Sequence, residues 1–117
     1  MSTNLIRALR DELRAFAQAR EWDQFHSPKN LASALAVEAA ELLEPFQWLT
    51  EEQSRHLSPE QRQAVQHEMA DVLIYLIRLA DKLDVDLIAA ARDKIAHNAA
   101  KYPADKVRGS SKKSAEL

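Results

Sequence analysis

The feature that most constrains the fold of this chain is its single glycine, Gly109, among 117 residues. A β-rich fold would lack its usual turn residue at every position before 109. Glycine-dependent motifs that hold phosphates or expose a serine nucleophile (the Walker loop, the GxGxxG turn and the GxSxG elbow) are excluded for the same reason. The sequence therefore predicts an all-α fold whose helices are joined by proline and polar turns.

The four prolines lie where helical patterns begin or end, because proline suits the first turn of a helix and breaks its interior. Ser27 and Ser58 each precede a proline and are suited to cap a helix that begins there. Thr50 opens a capping-box sequence for a short turn of helix. We predict long helices over about residues 3–20, 28–45, 59–83 and 87–101, the last of them capped by Asp84 or Asp86.

Each of the first three long helices carries an apolar stripe of helical period. The stripes are Leu5, Leu9, Leu13 and Phe16; Leu31, Ala34, Leu35 and Leu42; and Val65, Met69, Val72, Leu76 and Leu79 or Leu83. Between Met69 and Ala80 the third helix is apolar nearly all round, which is typical of a helix buried on several sides. A chain this small can hardly cover such a helix. We therefore predict a bundle of four to five helices that assembles as a homodimer or homotetramer.

The composition changes after Pro103, where lysine and serine replace the apolar residues. We predict one helical domain over residues 1–103 and a disordered polar tail over residues 104–117.

Charge and cysteine content narrow the classes of function. The net charge of -2 argues against general binding to a nucleic-acid polymer or a membrane surface. The sequence contains no run of about 18 apolar residues, which is the length that a membrane-spanning helix requires. The absence of cysteine removes disulfides, thiolate zinc sites and cysteine nucleophiles, and it fits a reducing compartment. We expect a cytoplasmic protein.

Four carboxylates occupy positions where apolar residues are expected. Glu38 and Glu41 fall on the stripe of the second helix, and Glu68 and Asp71 repeat the same spacing on the third. Carboxylates within a buried stripe are unfavourable unless a cation or hydrogen-bond donors compensate them. A hard divalent cation, Mg²⁺ or Mn²⁺, would suit an oxygen-only ligand set. Acids at the edge of each stripe, solvated or paired with Arg and Lys, are the alternative at this point.

These acids also carry a resemblance to a known family. The segments Glu38 to Glu41 and Glu68 to Asp71 resemble the ExxE…ExxD signature of the all-α nucleoside triphosphate pyrophosphohydrolases, the MazG-like superfamily. Five further blocks resemble its dCTP pyrophosphatase branch. They are residues 21–26, 28–31, 46–48, 71–76 and 101–103, so that the resemblance covers about residues 5–103.

The resemblance implies a Mg²⁺-dependent enzyme that cuts a nucleoside triphosphate, dCTP or a related pyrimidine nucleotide, into the monophosphate and pyrophosphate. Glu38, Glu41, Glu68 and Asp71 would be the metal ligands, with Mn²⁺ as a substitute ion. Glu41 is the candidate for orienting or deprotonating an attacking water. The superfamily often has a glutamate where this chain has Val37, and some dCTP-type relatives have a histidine where it has Leu13.

Further residues are candidates for holding the rest of a nucleotide. Lys94 and Asn98 are spaced i, i+4 on the fourth long helix, and Lys29 lies at the start of the second, where the helix dipole favours an anion. These three are our phosphate-binding candidates, whereas we interpret Lys82 and Lys101 as parts of solvated faces. The candidates for the base and sugar are Trp22, His26, Asn30, Trp48 and Tyr75. We expect the base between Trp48 and the Trp22–His26 segment, because stacking on an aromatic ring suits any base.

Two other classes of protein are alternatives to an enzyme of this kind. A non-enzymatic helical module for oligomerisation or partner binding would leave the carboxylates as surface charges. A di-iron carboxylate bundle requires Glu-x-x-His pairs, and no glutamate here has a histidine three residues later. The first alternative remains open from the sequence, and the second is disfavoured.

Overall fold

The structure is a computed structural model that describes residues 2–111, and no strand occurs within that range. The all-α prediction is confirmed. The helices are α1 (Ser2–Ala19), α2 (Pro28–Leu43), α3 (Glu51–Ser54), α4 (Pro59–Leu83), α5 (Leu87–Lys101) and α6 (Ala104–Val107), with a 3-10 helix at Asp23–Phe25. None of the described helices combines the length and the apolar composition that a membrane crossing requires.

Polar caps define where these helices begin. The hydroxyl of Ser27 accepts a hydrogen bond from the Asn30 amide, with Pro28 in the first turn of α2. Thr50 and Ser58 each form both halves of a capping box, with Gln53 and Gln61 as the reciprocal partners. Each satisfied amide removes one of the unpaired donors at a helix start, and the predicted caps are confirmed.

The start of α5 resolves an alternative that the sequence left open. Asp86 caps the helix, and its carboxylate accepts a hydrogen bond from the Ala89 amide at 3.0 Å. Asp84 instead ends α4 in the left-handed conformation, at φ +53°.

The chain divides into two compact units, Met1–Val85 and Asp86–Leu117. In the first unit, α2 and α4 pack along each other and α1 packs against α4. The second unit holds α5 and α6. Within the predicted disordered tail, residues 104–107 form one helical turn, in which Lys106 donates its amide to the Pro103 carbonyl and Val107 is half-buried. The last part of that predicted tail, residues 112–117, lies outside the described residues.

The core of the first unit lies between α1, α2 and α4. Leu31 and Ile77 are its most buried large side chains, and Ala17, Val65 and Ala80 complete it. The predicted face of α2 is confirmed in full. The residues of α2 that are buried or half-buried are Leu31, Ala34, Leu35, Glu38, Glu41 and Leu42.

Two predicted stripes are partly wrong. On α1, Leu5 and Phe16 are 73% and 48% exposed, whereas the small Ala17 is buried. The covered face of α1 therefore includes Ala17, whereas Leu5 and Phe16 keep much of their surface exposed. On α4, Met69 is exposed and Glu68 takes the inward position instead. Of the two alternatives at the end of the stripe, the half-buried Leu79 belongs to it and the exposed Leu83 does not.

Candidate functional site

The packing of α2 against α4 brings their acidic residues together. One carboxylate oxygen each from Glu38, Glu41 and Glu68 lies within 4.8 Å of the other two. Asp71 follows Glu68 by one turn of α4, and its charge raises the pKa of both Glu38 and Glu68. The four acids singled out from their spacing therefore share one region of the helix pair. We call Glu38, Glu41, Glu68 and Asp71 the acidic cluster.

The electrostatics of the acidic cluster are those of anions held too close together. Burial, a shared hydrogen bond with Glu41 and the charges of the neighbouring carboxylates raise the pKa of Glu38 to about 7. Burial and the charges of Glu41, Asp71 and Glu44 likewise raise the pKa of Glu68. The exposed Glu44 thus adds to the negative field, as its place one turn after Glu41 allows.

The acidic cluster fits a hard divalent cation. Glu38 Oε2 and Glu68 Oε2 are buried and have no hydrogen-bond partner among the described residues. A buried, unpaired carboxylate oxygen is strongly unfavourable, and a cation supplies the missing partner. The donor set is made of oxygens alone, which suits Mg²⁺ or Mn²⁺ better than zinc.

A largely apolar cavity of about 170 Å³ lies beside α4. Its lining includes the aromatic and imidazole rings of Trp22, His26 and Tyr75, together with Leu13 and Arg78. Ile74 and Tyr75, which both line the cavity, follow Asp71 by about one turn, so these residues lie about 5–6 Å along α4 from the acidic cluster. Three of the five base and sugar candidates therefore meet in one cavity next to the acids.

The other two base and sugar candidates lie elsewhere. Trp48 is 86% exposed and does not line the cavity. It follows the C-terminal end of α2, whereas Trp22 precedes the N-terminal end, and a helix of 16 residues is about 24 Å long. The expected placement of one base between Trp48 and the Trp22–His26 segment is therefore not formed within the single chain. Asn30 donates its side-chain amide to the Phe25 carbonyl at 3.0 Å, which stabilises the segment before α2.

The three phosphate candidates are all exposed. Lys29 lies in the first turn of α2, and Lys94 and Asn98 lie on α5 in the second unit. Lys82, interpreted from the sequence as part of a solvated face, instead forms an ion pair with Asp23. That pairing joins α4 to the 3-10 helix that follows Trp22.

Sequence reasoning missed the residue that organises this side of the cavity. Arg78 is 3% exposed and pairs with Asp23 and Asp81. Its Nη2 also lies 3.2 Å from His26 Nδ1. The sequence did carry a signal for Arg78, which is a single charged residue within the apolar run of the third predicted helix. As with Glu38 and Glu68, a charge in a buried stretch requires partners.

Comparison with known proteins agrees with these features. The MazG-like family model matches residues 34–117, which include the whole acidic cluster. This chain belongs to the MazG-like family. The human protein dCTP pyrophosphatase 1 is 47% identical over 104 residues, which make up 87% of this MazG-like chain and 61% of the human one. The bovine protein of the same name is 44% identical over 104 residues.

A solved structure shares the fold of this MazG-like chain. The crystal structure of a pyrophosphatase from Archaeoglobus fulgidus DSM 4304 is 41% identical, with a TM-score of 0.79 over 83% of this chain and 91% of that one. The chain spans about three fifths of the length of the mammalian relatives.

Proposed function

We propose that this chain hydrolyses a deoxynucleoside triphosphate, dCTP or a related pyrimidine nucleotide, to the monophosphate and pyrophosphate. The observation that carries the proposal is the acidic cluster with two unpartnered buried oxygens, one helical turn from an apolar cavity lined by aromatic rings. The names of the relatives, dCTP pyrophosphatase 1 and a pyrophosphatase, support the same reaction. They do not favour a non-enzymatic helical module.

Glu38, Glu41, Glu68 and Asp71 would hold Mg²⁺, with Mn²⁺ as a substitute. When bound, the cation would polarise the phosphoryl oxygens and offset the charge of four acids and a triphosphate. Glu41 would orient or deprotonate a water for attack at phosphorus. Its carboxylate belongs to the acidic cluster, so that a water at the bound cation would lie within its reach. Without a cation, the cluster would repel the triphosphate.

The nucleoside would lie along α4, with its triphosphate at the acidic cluster and its base in the cavity. Trp22 and Tyr75 would offer flat apolar surfaces, and His26 would offer a polar edge. Lys29, Lys94 and Asn98 remain our candidates for the phosphate oxygens. Their exposure leaves their donors accessible to a ligand.

We also propose that the enzyme is a homodimer or homotetramer in the cytoplasm. The number of large apolar side chains left exposed in the first unit supports assembly, since a neighbouring copy would remove them from water. Among them are Val37, Leu43, Trp48 and Met69, which are 55–86% exposed. Trp48 would then contact the base bound by a second copy, which is the arrangement that allows it to work with Trp22. Sedimentation at micromolar concentration should give a species of at least two copies.

A panel of nucleotides tests the proposed reaction. The full chain is incubated with each dNTP and with Mg²⁺ or EDTA, and pyrophosphate and inorganic phosphate are measured separately. We expect equimolar pyrophosphate and monophosphate, fastest with a pyrimidine nucleotide and absent in EDTA. Release of inorganic phosphate alone, or no hydrolysis of any nucleotide, would contradict the proposal and favour the helical module.

A further inference from the structure

The side chain of Arg78 makes three directed contacts that meet at the wall of the cavity. Its Nη1 donates to Asp81 Oδ2 at 3.2 Å, and its Nη2 donates to Asp23 Oδ1 at 3.1 Å. The same Nη2 lies 3.2 Å from Nδ1 of His26. Two of these partners belong to the segment between α1 and α2, so the guanidinium joins that segment to α4.

The contact with His26 decides which ring nitrogen carries the proton. A guanidinium has only donors and is never deprotonated in proteins. Nδ1 of His26 must therefore accept, and a neutral ring that accepts at Nδ1 carries its hydrogen on Nε2. Burial and the positive charge of Arg78 lower the pKa of His26 and so favour the neutral ring.

We propose that Arg78 is a positioning residue for base recognition, because it fixes His26 as an Nε2–H donor and anchors the Trp22–His26 segment through Asp23. The inference rests on the proposed function, since it takes the cavity as the site of the base. Much of the remaining lining is apolar, including Leu13, Phe16 and Ile74. A fixed donor in such a setting favours a base whose edge accepts hydrogen bonds, such as the adjacent N3 and O2 atoms of cytosine.

Arg14 provides a matched control for Arg78. Both guanidiniums pair with Asp81, and Arg14 does so with two hydrogen bonds of 2.6 and 3.1 Å. Among the described residues no hydrogen bond or ion pair joins Arg14 to His26, so Arg14→Met removes an ion pair with Asp81 and leaves the ring contact of Arg78 in place. A purely structural role of the ion-pair network predicts similar effects of the two substitutions on His26.

The test measures the ring directly and the kinetics separately. Two-bond ¹H–¹⁵N NMR of the full chain near pH 7.5, with His26 assigned from the His26→Gln variant, reports which nitrogen is protonated. We expect the Nε2–H form in the wild type and in Arg14→Met, and a mixture of both tautomers in Arg78→Met. With dCTP, Arg78→Met should raise KM about tenfold and leave kcat within twofold, whereas Arg14→Met should leave KM unchanged.

Several results would overturn the inference. If His26 of the wild type carries its hydrogen on Nδ1, or is doubly protonated at this pH, Arg78 does not set the tautomer, and this result needs no variant to fold. An altered tautomer of His26 in Arg78→Met with an unchanged KM for dCTP would reject the role of Arg78 in base recognition. A wild type that hydrolyses no nucleotide would instead reject the proposed function, while the NMR spectrum would still decide whether Arg78 sets the tautomer.

Discussion

Replacing Glu38 by glutamine should stabilise the metal-free protein at pH 8. The pKa of this carboxyl is about 7 rather than the ordinary 4.5, since burial and three neighbouring acids disfavour its charge. Such a difference corresponds to at most about 3 kcal/mol of folding free energy. Solvent reaches the half-buried carboxylate and screens part of this electrostatic destabilisation. We therefore expect the variant to be more stable by about 1–2 kcal/mol at pH 8.

The sign of the pH dependence follows from the raised pKa. Above about pH 7 the folded protein carries an ionised Glu38 that its surroundings disfavour, so the full destabilisation is present there. As pH falls below 7 the folded state takes up a proton before the unfolded state does, and the penalty disappears by about pH 4.5. The advantage of Glu38→Gln should therefore shrink to nearly zero between pH 8 and pH 4.5.

Urea unfolding in EDTA, followed by circular dichroism, measures this difference. Titrating groups outside the acidic cluster, including His26 with its lowered pKa, are present in both proteins and cancel when the two are compared. Glu12→Gln, at an exposed position of α1, is the matched control and should change stability little at either pH. The electrostatic reasoning would be refuted by a Glu38→Gln variant that is less stable than the wild type at pH 8. A difference in stability that is the same at pH 8 and pH 4.5 would refute it as well.

Four further substitutions test other parts of the account. Asp71→Asn should abolish nucleotide hydrolysis and leave the far-ultraviolet circular dichroism unchanged, because it removes one charge from the acidic cluster and no packing contact. Trp48→Ala should raise the KM for dCTP by the loss of about 1–3 kcal/mol of stacking and leave the stabilisation by Mg²⁺ intact; an unchanged KM for every nucleotide would place the base away from this ring. Ile77→Asp should unfold the chain at room temperature, as judged by circular dichroism, because it places a charge at a side chain that is 1% exposed. Ser58→Ala should lower the free energy of unfolding by about 1 kcal/mol in urea titrations, since it removes half of the capping box of α4.

The helix boundaries and the inward face of α2 could be predicted because each rests on local chemistry. A serine followed by a proline favours the start of a helix, because serine can cap it and proline suits its first turn. The acids Glu38 and Glu41 share a helical period with Leu31 and Leu42, which leaves one choice of inward face. On α1 two apolar faces compete. The larger side chains of Leu5 and Phe16 suggest one face, and which face of α1 is covered depends on tertiary packing that the sequence does not carry.

The base site could be predicted only in part for a similar reason. Trp22 and Tyr75 were identified by residue type, but their meeting in one cavity depends on how α1 packs on α4. Arg78 was visible as a charge in an apolar run, and Asp81 was a foreseeable partner three residues later. The other partners of Arg78, Asp23 and His26, are more than fifty residues away in sequence, so no periodicity could identify them.

The four carboxylates of the acidic cluster, on α2 and α4, should together hold a divalent cation, Mg²⁺ or Mn²⁺. Electron paramagnetic resonance of Mn²⁺ tests it directly, because the sharp spectrum of the free ion is lost on binding. We expect the wild type to remove this signal and Mg²⁺ to restore it by competition, whereas a Glu38→Gln, Glu68→Gln double variant should leave the signal of free Mn²⁺ intact. Equal binding of Mn²⁺ by the wild type and the double variant would contradict the account.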